Sequence, residues 1–127
     1  MIEVVAAFIQ ENNRFMICQR PQNKARGLLW EFVGGKVEAG ESKEQALIRE
    51  CQEELSITIE PTNALVDVTY NYSDISIHLT LFKCIVFKGE PALLEHKDIK
   101  WITTSEISEY DFCPADNIIL NKLFCTS

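Results

Sequence analysis

At 127 residues the chain has room for one hydrophobic core, and 46% hydrophobic with 24% charged residues is an ordinary globular composition, not a disordered, collagen-like or disulfide-stapled one. Its 19 acidic against 12 basic side chains leave a net charge of -7, which repels polyanions at long range and argues against a nucleic-acid backbone as partner. A polyanionic small molecule remains accessible when divalent cations stand between its phosphates and the carboxylates of the protein. In chain order, Val4 to Ile9 is a β-rich run, Glu11-Asn12-Asn13-Arg14 is turn chemistry, and Phe15 to Arg20 is a second strand able to close a hairpin with the first. Pro21 to Gly27 reads as a polar loop. Trp30-Glu31-Phe32-Val33 is a short apolar segment ending in Gly34-Gly35, where the backbone is free to adopt conformations closed to other residues and to be approached closely.

Ser42 to Leu55 has the pattern of a helix: Ser42 and Gln45 form an S-x-x-Q capping box, and Leu47, Cys51 and Leu55 recur every four residues toward a core. Thr58 to Ile59 is a short β segment ended by Pro61, and Leu65 to Tyr72 is another. In Ile75 to Phe87 the residues Ile75, Ile77, Leu79 and Leu81 alternate with more polar or smaller ones, as in a sheet strand closed by Gly89-Glu90-Pro91. Ile99 to Thr103 is a further strand, Ser105 to Tyr110 a short helix, and Pro114 through Phe124 a C-terminal helix with proline in its first turn. Strands dominate and helices are irregularly interspersed, so the class is α+β or a mixed-sheet sandwich rather than a regular βαβ chain. The expected organisation is a single domain over residues 1–127.

The five cysteines, Cys18, Cys51, Cys84, Cys113 and Cys125, are odd in number and contain no C-x-x-C pair, so reduced thiols in a cytoplasmic protein are expected. The run Val4 to Ile9 is too short for a signal core or a membrane span, so no membrane partner is expected.

The informative stretch runs from Gly35-Lys36-Val37-Glu38-Ala39-Gly40-Glu41 to Arg49-Glu50-Cys51-Gln52-Glu53-Glu54. At about 100° per residue Glu50 and Glu54 lie one helical turn apart with Glu53 between them, away from the apolar stripe. Like charges so spaced cost an isolated helix roughly 0.2–0.5 kcal/mol per pair. Taken alone, such a cluster also suits a solvated helix face. As an oxygen-rich site it suits Mg²⁺ or Mn²⁺, completed by a backbone carbonyl of Gly34 or Gly35 and by substrate phosphates. Cations bridging phosphates, with a carboxylate to activate water, imply hydrolysis of a phosphoanhydride.

These residues resemble the Nudix box, whose pattern is G, five residues, E, seven residues, R-E-U-x-E-E-x-G-U with U aliphatic. Gly35, Glu41, Arg49, Glu50, Glu53, Glu54 and Ile57 stand at the required spacings over a 23-residue window. Cys51 fills an apolar slot, and Ser56 replaces the last glycine, where a left-handed turn is expected to end the helix. The resemblance implies a Nudix-like α/β/α sandwich with helices on both faces of the sheet. It further implies Glu50 and Glu54 as metal ligands with a Gly34 or Gly35 carbonyl, and Glu53 as the residue that holds or activates water beside the metal. Arg49 with Glu41 would orient the helix, and Lys36 would touch phosphate.

The likeness extends to the MutT and CTP pyrophosphohydrolase branch through Val4-Val5-Ala6-Ala7, Gln19-Arg20-Pro21, Gly27-Leu28-Leu29-Trp30-Glu31-Phe32 and Pro114-Ala115-Asp116. That branch cuts a nucleoside triphosphate to the monophosphate and pyrophosphate by water attack at the β-phosphorus. Glu95, before Trp101, resembles its additional metal-binding glutamate, with Asp98 in reserve. Asp116 corresponds to its base-reading position; as an ionised carboxylate it would only accept hydrogen bonds, from the cytosine amine or from N–H groups of guanine or 8-oxoguanine. Phe32 and Trp30 are candidates to stack on the base, although both also suit a core. Arg20 is a candidate to reach base or phosphates. His78 reads as a satisfied, partly buried histidine. Where several members of the branch carry an arginine in the cleft, this chain has Ile75. The expected substrates are 8-oxo-dGTP or CTP, dCTP and modified dCTP, with a monomer or weak homodimer as the acting form. The other readings are a hydrolase of ADP-ribose or another nucleoside diphosphate linked to a second group, and a catalytically silent nucleotide-binding module.

Overall fold

The structure, a computed structural model, describes residues 1–124, so Cys125 lies outside the described residues. Strand β1 (Ile2–Glu11) turns through Asn12, at φ 58°, into β2 (Arg14–Gln19). Asparagine tolerates this left-handed conformation better than most residues, which is why the expected turn closes here. The remaining elements are β3 (Trp30–Glu31), β4 (Gly34–Lys36), α1 (Lys43–Leu55), β5 (Thr58–Asn71), β6 (Ser76–Lys88), β7 (Asp98–Ile102), a 3₁₀ helix (Thr104–Glu109) and α2 (Pro114–Phe124).

The sheet is mixed. β1 runs parallel to β6, Ile2 to Ile9 pairing with Ile77 to Cys84, whereas β1 with β2, β1 with β4, and β5 with β6 are antiparallel. The run Val4 to Ile9 is continuously apolar because β1 is buried on both faces. Val5, Ala7 and Ile9 pack with Leu47, Cys51 and Leu55 of α1, while Ala6 and Phe8 pack with Ala115, Ile119 and Leu120 of α2. Helices therefore cover both faces of the sheet, as expected. Fully burying each leucine of the α1 stripe contributes about 1.5–3 kcal/mol, which fixes the rotation of the helix and sends its carboxylates to the other side.

Three expectations change. Thr58 to Ile59 and Leu65 to Tyr72 belong to one strand, β5, which runs through Pro61. Proline is tolerated because β5 lies at the sheet edge, and register shifts around Thr58, Pro61 and Ala64 absorb the irregularity. The short helix after β7 is 3₁₀ and ends at Glu109. Gly34 and Gly35 are not at positive φ; among the described glycines only Gly40 and Gly89 are. What requires glycine at 34 and 35 is space.

The capping box of α1 forms as expected, with the Ser42 hydroxyl accepting from the Gln45 amide at 3.1 Å and the Gln45 side chain accepting from the Ser42 amide at 2.9 Å. At the far end Ser56 takes the left-handed conformation, φ 57° and ψ 37°, and its N–H donates to Gln52 O at 3.1 Å. The exit geometry survives the loss of glycine at a conformational cost. Ser56→Gly should therefore raise stability by about 1 kcal/mol, a few degrees in Tm; an unchanged or lower Tm in a thermal melt would contradict this.

Candidate active site

Arg49 organises the carboxylate face of α1. Its Nε donates to Glu41 Oε2 at 2.7 Å and its Nη2 to Glu41 Oε1 at 3.0 Å, a bidentate pair that ties the loop before α1 to the helix. Nη2 also donates to the Lys36 carbonyl at 3.1 Å, and Nη1 reaches Glu50 Oε1 at 2.9 Å and Glu53 Oε2 at 3.4 Å. One guanidinium thus links β4, the loop and three glutamates. The hydrogen bonds from Arg49 and from the Glu38 amide hold the Glu41 carboxyl down to about 2.

The glycines are explained by what presses on them. A Cβ at Gly35 would lie 2.6 Å from Glu50 Oε1, so the Glu50 carboxylate rests directly on the bare backbone of β4. A Cβ at Gly34 would collide with the Val5 carbonyl and stand 2.7 Å from Ala6 Cα, on the strand that β4 pairs with. Gly35 therefore makes room for the Glu50 side chain and Gly34 for the sheet.

Glu54 is the most buried of the α1 acids. Burial first, then the hydrogen-bonding neighbour Glu50 and the charges of Glu31 and Glu95, push its carboxyl well above the usual range. Its Oε2 is buried without a hydrogen-bond donor among the described residues. Its Oε1 lies 3.8 Å from His96 Nε2, which also meets Glu31 Oε2 at 3.0 Å. Glu31 in turn accepts from Arg20 Nη1 at 2.9 Å. Neither His96 nor Glu31 stands out in the sequence except as a polar residue at an otherwise apolar or loop position.

The structure places His96, only 7% exposed, against Glu54, while the neighbouring Glu95 is exposed and faces Lys24 at 3.9 Å. Glu95 nevertheless stays close enough for its charge to act on Glu54. Asp98 is spent on the Ile99 amide and faces Lys100. Among the described residues no three His, Cys, Asp or Glu side chains converge as a closed cation site, because Glu50 is turned to Arg49 and Glu54 to His96.

Beside this face lies a cleft of about 200 Å³ with room for a ring system. Gly34, Gly35 and Lys36 form the side nearest α1, and Arg20, Arg26, Phe32, Tyr72, Ile75 and Asp116 are among the residues that line the rest. A larger concavity of about 780 Å³ between the β1–β2 turn and β7 contains none of the motif residues. Asp116 is 6% exposed in the first turn of α2 and its Oδ1 accepts from the Phe32 amide at 3.1 Å. Burial, helped by the charge of Glu31, raises its carboxyl to about 8. The burial favours the neutral form of the carboxyl over the ionised, acceptor-only form expected from the sequence, and its Oδ1 is already engaged by the Phe32 amide. Phe32 lines the cleft and packs on Phe8 and Phe15. Trp30 does not line it; its ring is buried edge-on against Tyr110, with centroids 5.1 Å apart, so it serves the core and not a base. His78 is satisfied, as expected, between Glu3 at 2.8 Å and Asp67 at 2.7 Å.

A family model described as NUDIX domain matches residues 4–122. The chain belongs to the Nudix family. This Nudix chain is 39% identical over 116 residues to the CTP pyrophosphohydrolase of Escherichia coli, covering 91% of this chain and 86% of the relative. It is 35% identical over 115 residues to the 8-oxo-dGTP diphosphatase of the same organism, covering 89% and 88%. The solution structure of the E. coli ORF135 protein matches with a TM-score of 0.82 at 37% identity, over 98% of this chain and 88% of that one. The MutT Nudix hydrolase from Burkholderia pseudomallei matches with a TM-score of 0.87 at 24% identity, over 96% and 97%, which speaks to the fold alone. The chain is thus a Nudix hydrolase of the MutT and CTP pyrophosphohydrolase type.

The four cysteines in the described part of this Nudix chain are free and buried. Burial pushes the Cys84 thiol up to about 12 and raises the Cys18, Cys51 and Cys113 thiols as well, which disfavours their thiolate forms. No helix among the described residues is long and apolar enough to cross a membrane.

Proposed function

We propose that this chain, as one Nudix domain over residues 1–127, hydrolyses a nucleoside triphosphate to the monophosphate and pyrophosphate. The observation that carries the reading is the junction of two features: an acid-rich helix face wired by Arg49 and a cleft of ring-system size ending at Asp116. Phosphates laid along Gly35, Lys36 and α1 would bring the base to Asp116 and Phe32. The two E. coli relatives, named for CTP and for 8-oxo-dGTP, support a triphosphate and leave both base types in the substrate class.

The site fits a divalent cation, Mg²⁺ or Mn²⁺. Glu54 Oε2 is a buried acceptor without a donor, and the Glu50 carboxylate lies over a backbone kept bare for it. Glu50 and Glu54, with the Gly34 or Gly35 carbonyl and Glu95 closing from its loop, are the groups that would hold it. A bound divalent cation would supply neutralisation of phosphate charge and polarisation of the scissile phosphoanhydride. Glu53, exposed on the same face and only loosely held by Arg49, is placed in this reading to orient water and take its proton. Arg49 and Glu41 fix the helix against β4. Lys36 and Arg20 offer positive charge to the phosphates, although Arg20 is partly committed to Glu31. The buried thiols agree with a cytoplasmic protein, and the acting form in this reading is a monomer or weak homodimer.

Two experiments test this. A panel of nucleoside triphosphates with Mg²⁺ should yield pyrophosphate and monophosphate; release of inorganic phosphate with a diphosphate would overturn the cleavage site. In thermal melts, saturating Mg²⁺ or Mn²⁺ should raise the Tm of the wild type, an effect of about 2.7 kcal/mol at a hundred times Kd. Glu54→Gln should melt close to the wild type without metal, because burial already disfavours the charged carboxylate, and should lose most of the metal-induced shift. A full metal shift in that variant would remove Glu54 from the ligand set.

A further inference from the structure

Two unpaired polar atoms meet at one contact beside the carboxylate helix. Among the described residues, the buried side-chain nitrogens and oxygens without a hydrogen-bond partner are Glu54 Oε2 and His96 Nδ1. Their side chains face one another, with His96 Nε2 3.8 Å from Glu54 Oε1. An unpaired buried polar atom costs stability, so two of them on one contact call for a reason other than packing. The His96 side chain is only 3% exposed, although its neighbours Leu94, Glu95 and Lys97 are all exposed.

The histidine is held firmly. On one side of it the Lys97 N–H donates to the Gln19 carbonyl of β2 at 2.9 Å, and on the other the Ala92 N–H donates to the Leu55 carbonyl at the end of α1 at 2.9 Å. β2 lies between β3 and β7, its Cys18 pairing with Glu31 on one side and with Ile99 on the other. Glu31 and His96 therefore meet across β2, where His96 Nε2 is 3.0 Å from Glu31 Oε2. Glu31 accepts from Arg20 Nη1 through its other oxygen at 2.9 Å, so it faces His96 as a carboxylate and the hydrogen between them belongs to Nε2. The 3.8 Å to Glu54 Oε1 is longer than a hydrogen bond. It is still short enough for the positive end of the Nε2–H group to draw that oxygen to its side.

We propose that His96 is a positioning residue for Glu54: pinned by Glu31, it steadies the carboxylate through Oε1 and leaves Oε2 free for the divalent cation. This rests on the cation reading given above. A carboxylate held through one oxygen loses less freedom when the other takes a cation, and removing such a supporting contact costs about ten- to a hundredfold in metal affinity. His96 also adjoins Glu95, so the competing role is to anchor the loop that carries Glu95. The two roles separate when Glu95 is neutralised.

The test reads Mn²⁺ affinity by calorimetry on the full chain without nucleotide, so it does not depend on turnover. The variants are His96→Gln, whose amide nitrogen reaches the place of Nε2, and His96→Asn, which carries the same amide one methylene short of it. His96→Asn should bind Mn²⁺ about ten- to a hundredfold more weakly than the wild type, and His96→Gln within about threefold of it. His96→Leu, which fills the space without a donor, takes the place of the asparagine variant if metal-free melts show that one unfolded. Glutamine and asparagine variants of equal Mn²⁺ affinity would overturn the proposal. In a Glu95→Gln background, His96→Asn should weaken Mn²⁺ by the same factor within about twofold, as independent sites do. A loss that vanishes there would make His96 an anchor for the Glu95 loop and overturn the proposal alone. A wild type that takes up no Mn²⁺, or a Glu54→Gln variant of undiminished affinity, would overturn the cation reading and this inference with it.

Discussion

Glu53→Gln is expected to lower kcat by about two or more orders of magnitude with little change in KM or in Tm. The Glu53 side chain is 54% exposed and its one ion pair, to Arg49, is long at 3.4 Å, so little of the fold depends on its charge. An amide of the same shape keeps the surroundings of Arg49 but cannot take a proton from water. Exposed substitutions of this kind stay within about 0.5 kcal/mol in stability, so a lost rate with an intact melt isolates the chemistry. Steady-state kinetics on the best triphosphate of the panel makes the check. A kcat within a few-fold of wild type would exclude Glu53 as the base and turn attention to Glu54 or Glu50.

Gly35→Ala is the second large effect. The added methyl group would stand 2.6 Å from Glu50 Oε1, so the carboxylate must move off β4 and away from the Arg49 Nη1 contact at 2.9 Å. Misplacing a group that holds the reacting centre by about 1 Å can cost about a hundredfold, and a loss of at least that size in kcat/KM is expected, with weaker metal-induced stabilisation. The protein should remain folded, because a glutamate side chain can yield. Gly34→Ala provides the contrast: there the obstacle is the β1 backbone at Val5 and Ala6, which cannot move without breaking the sheet, so loss of the fold is expected. Circular dichroism and kinetics on both variants separate the cases. A Gly35→Ala enzyme with near wild-type kcat/KM would show that Glu50 does not need its seat on β4.

Much of this site is local and therefore readable along the chain. Glu41, Arg49, Glu50, Glu53 and Glu54 belong to one helix and the loop before it, so fixed spacing translates directly into a shared face, and the capping box announces where that helix begins. Residues that meet only through the fold were harder to read. Glu31 on β3 and His96 before β7 are 65 positions apart yet only 3.0 Å apart in space. Arg26 meets Tyr72 only because the β2–β3 loop and the β5–β6 hairpin end at the same mouth. Trp30 and Phe32 share a segment, and neither composition nor alternation says that one turns to Tyr110 and the other to the cleft.

The excess of negative charge met at the outset acquires a location in the same way. Sequence by itself determined the family and the carboxylate helix, because these depend on residue type at short, fixed separations. Tertiary structure alone decided that Glu54 has an oxygen without a donor, that the Asp116 carboxyl is buried and raised above its usual range, and that Gly34 and Gly35 are glycines for lack of space. Burial and close approach set those properties. Both depend on what the rest of the chain places nearby, and no local pattern encodes that.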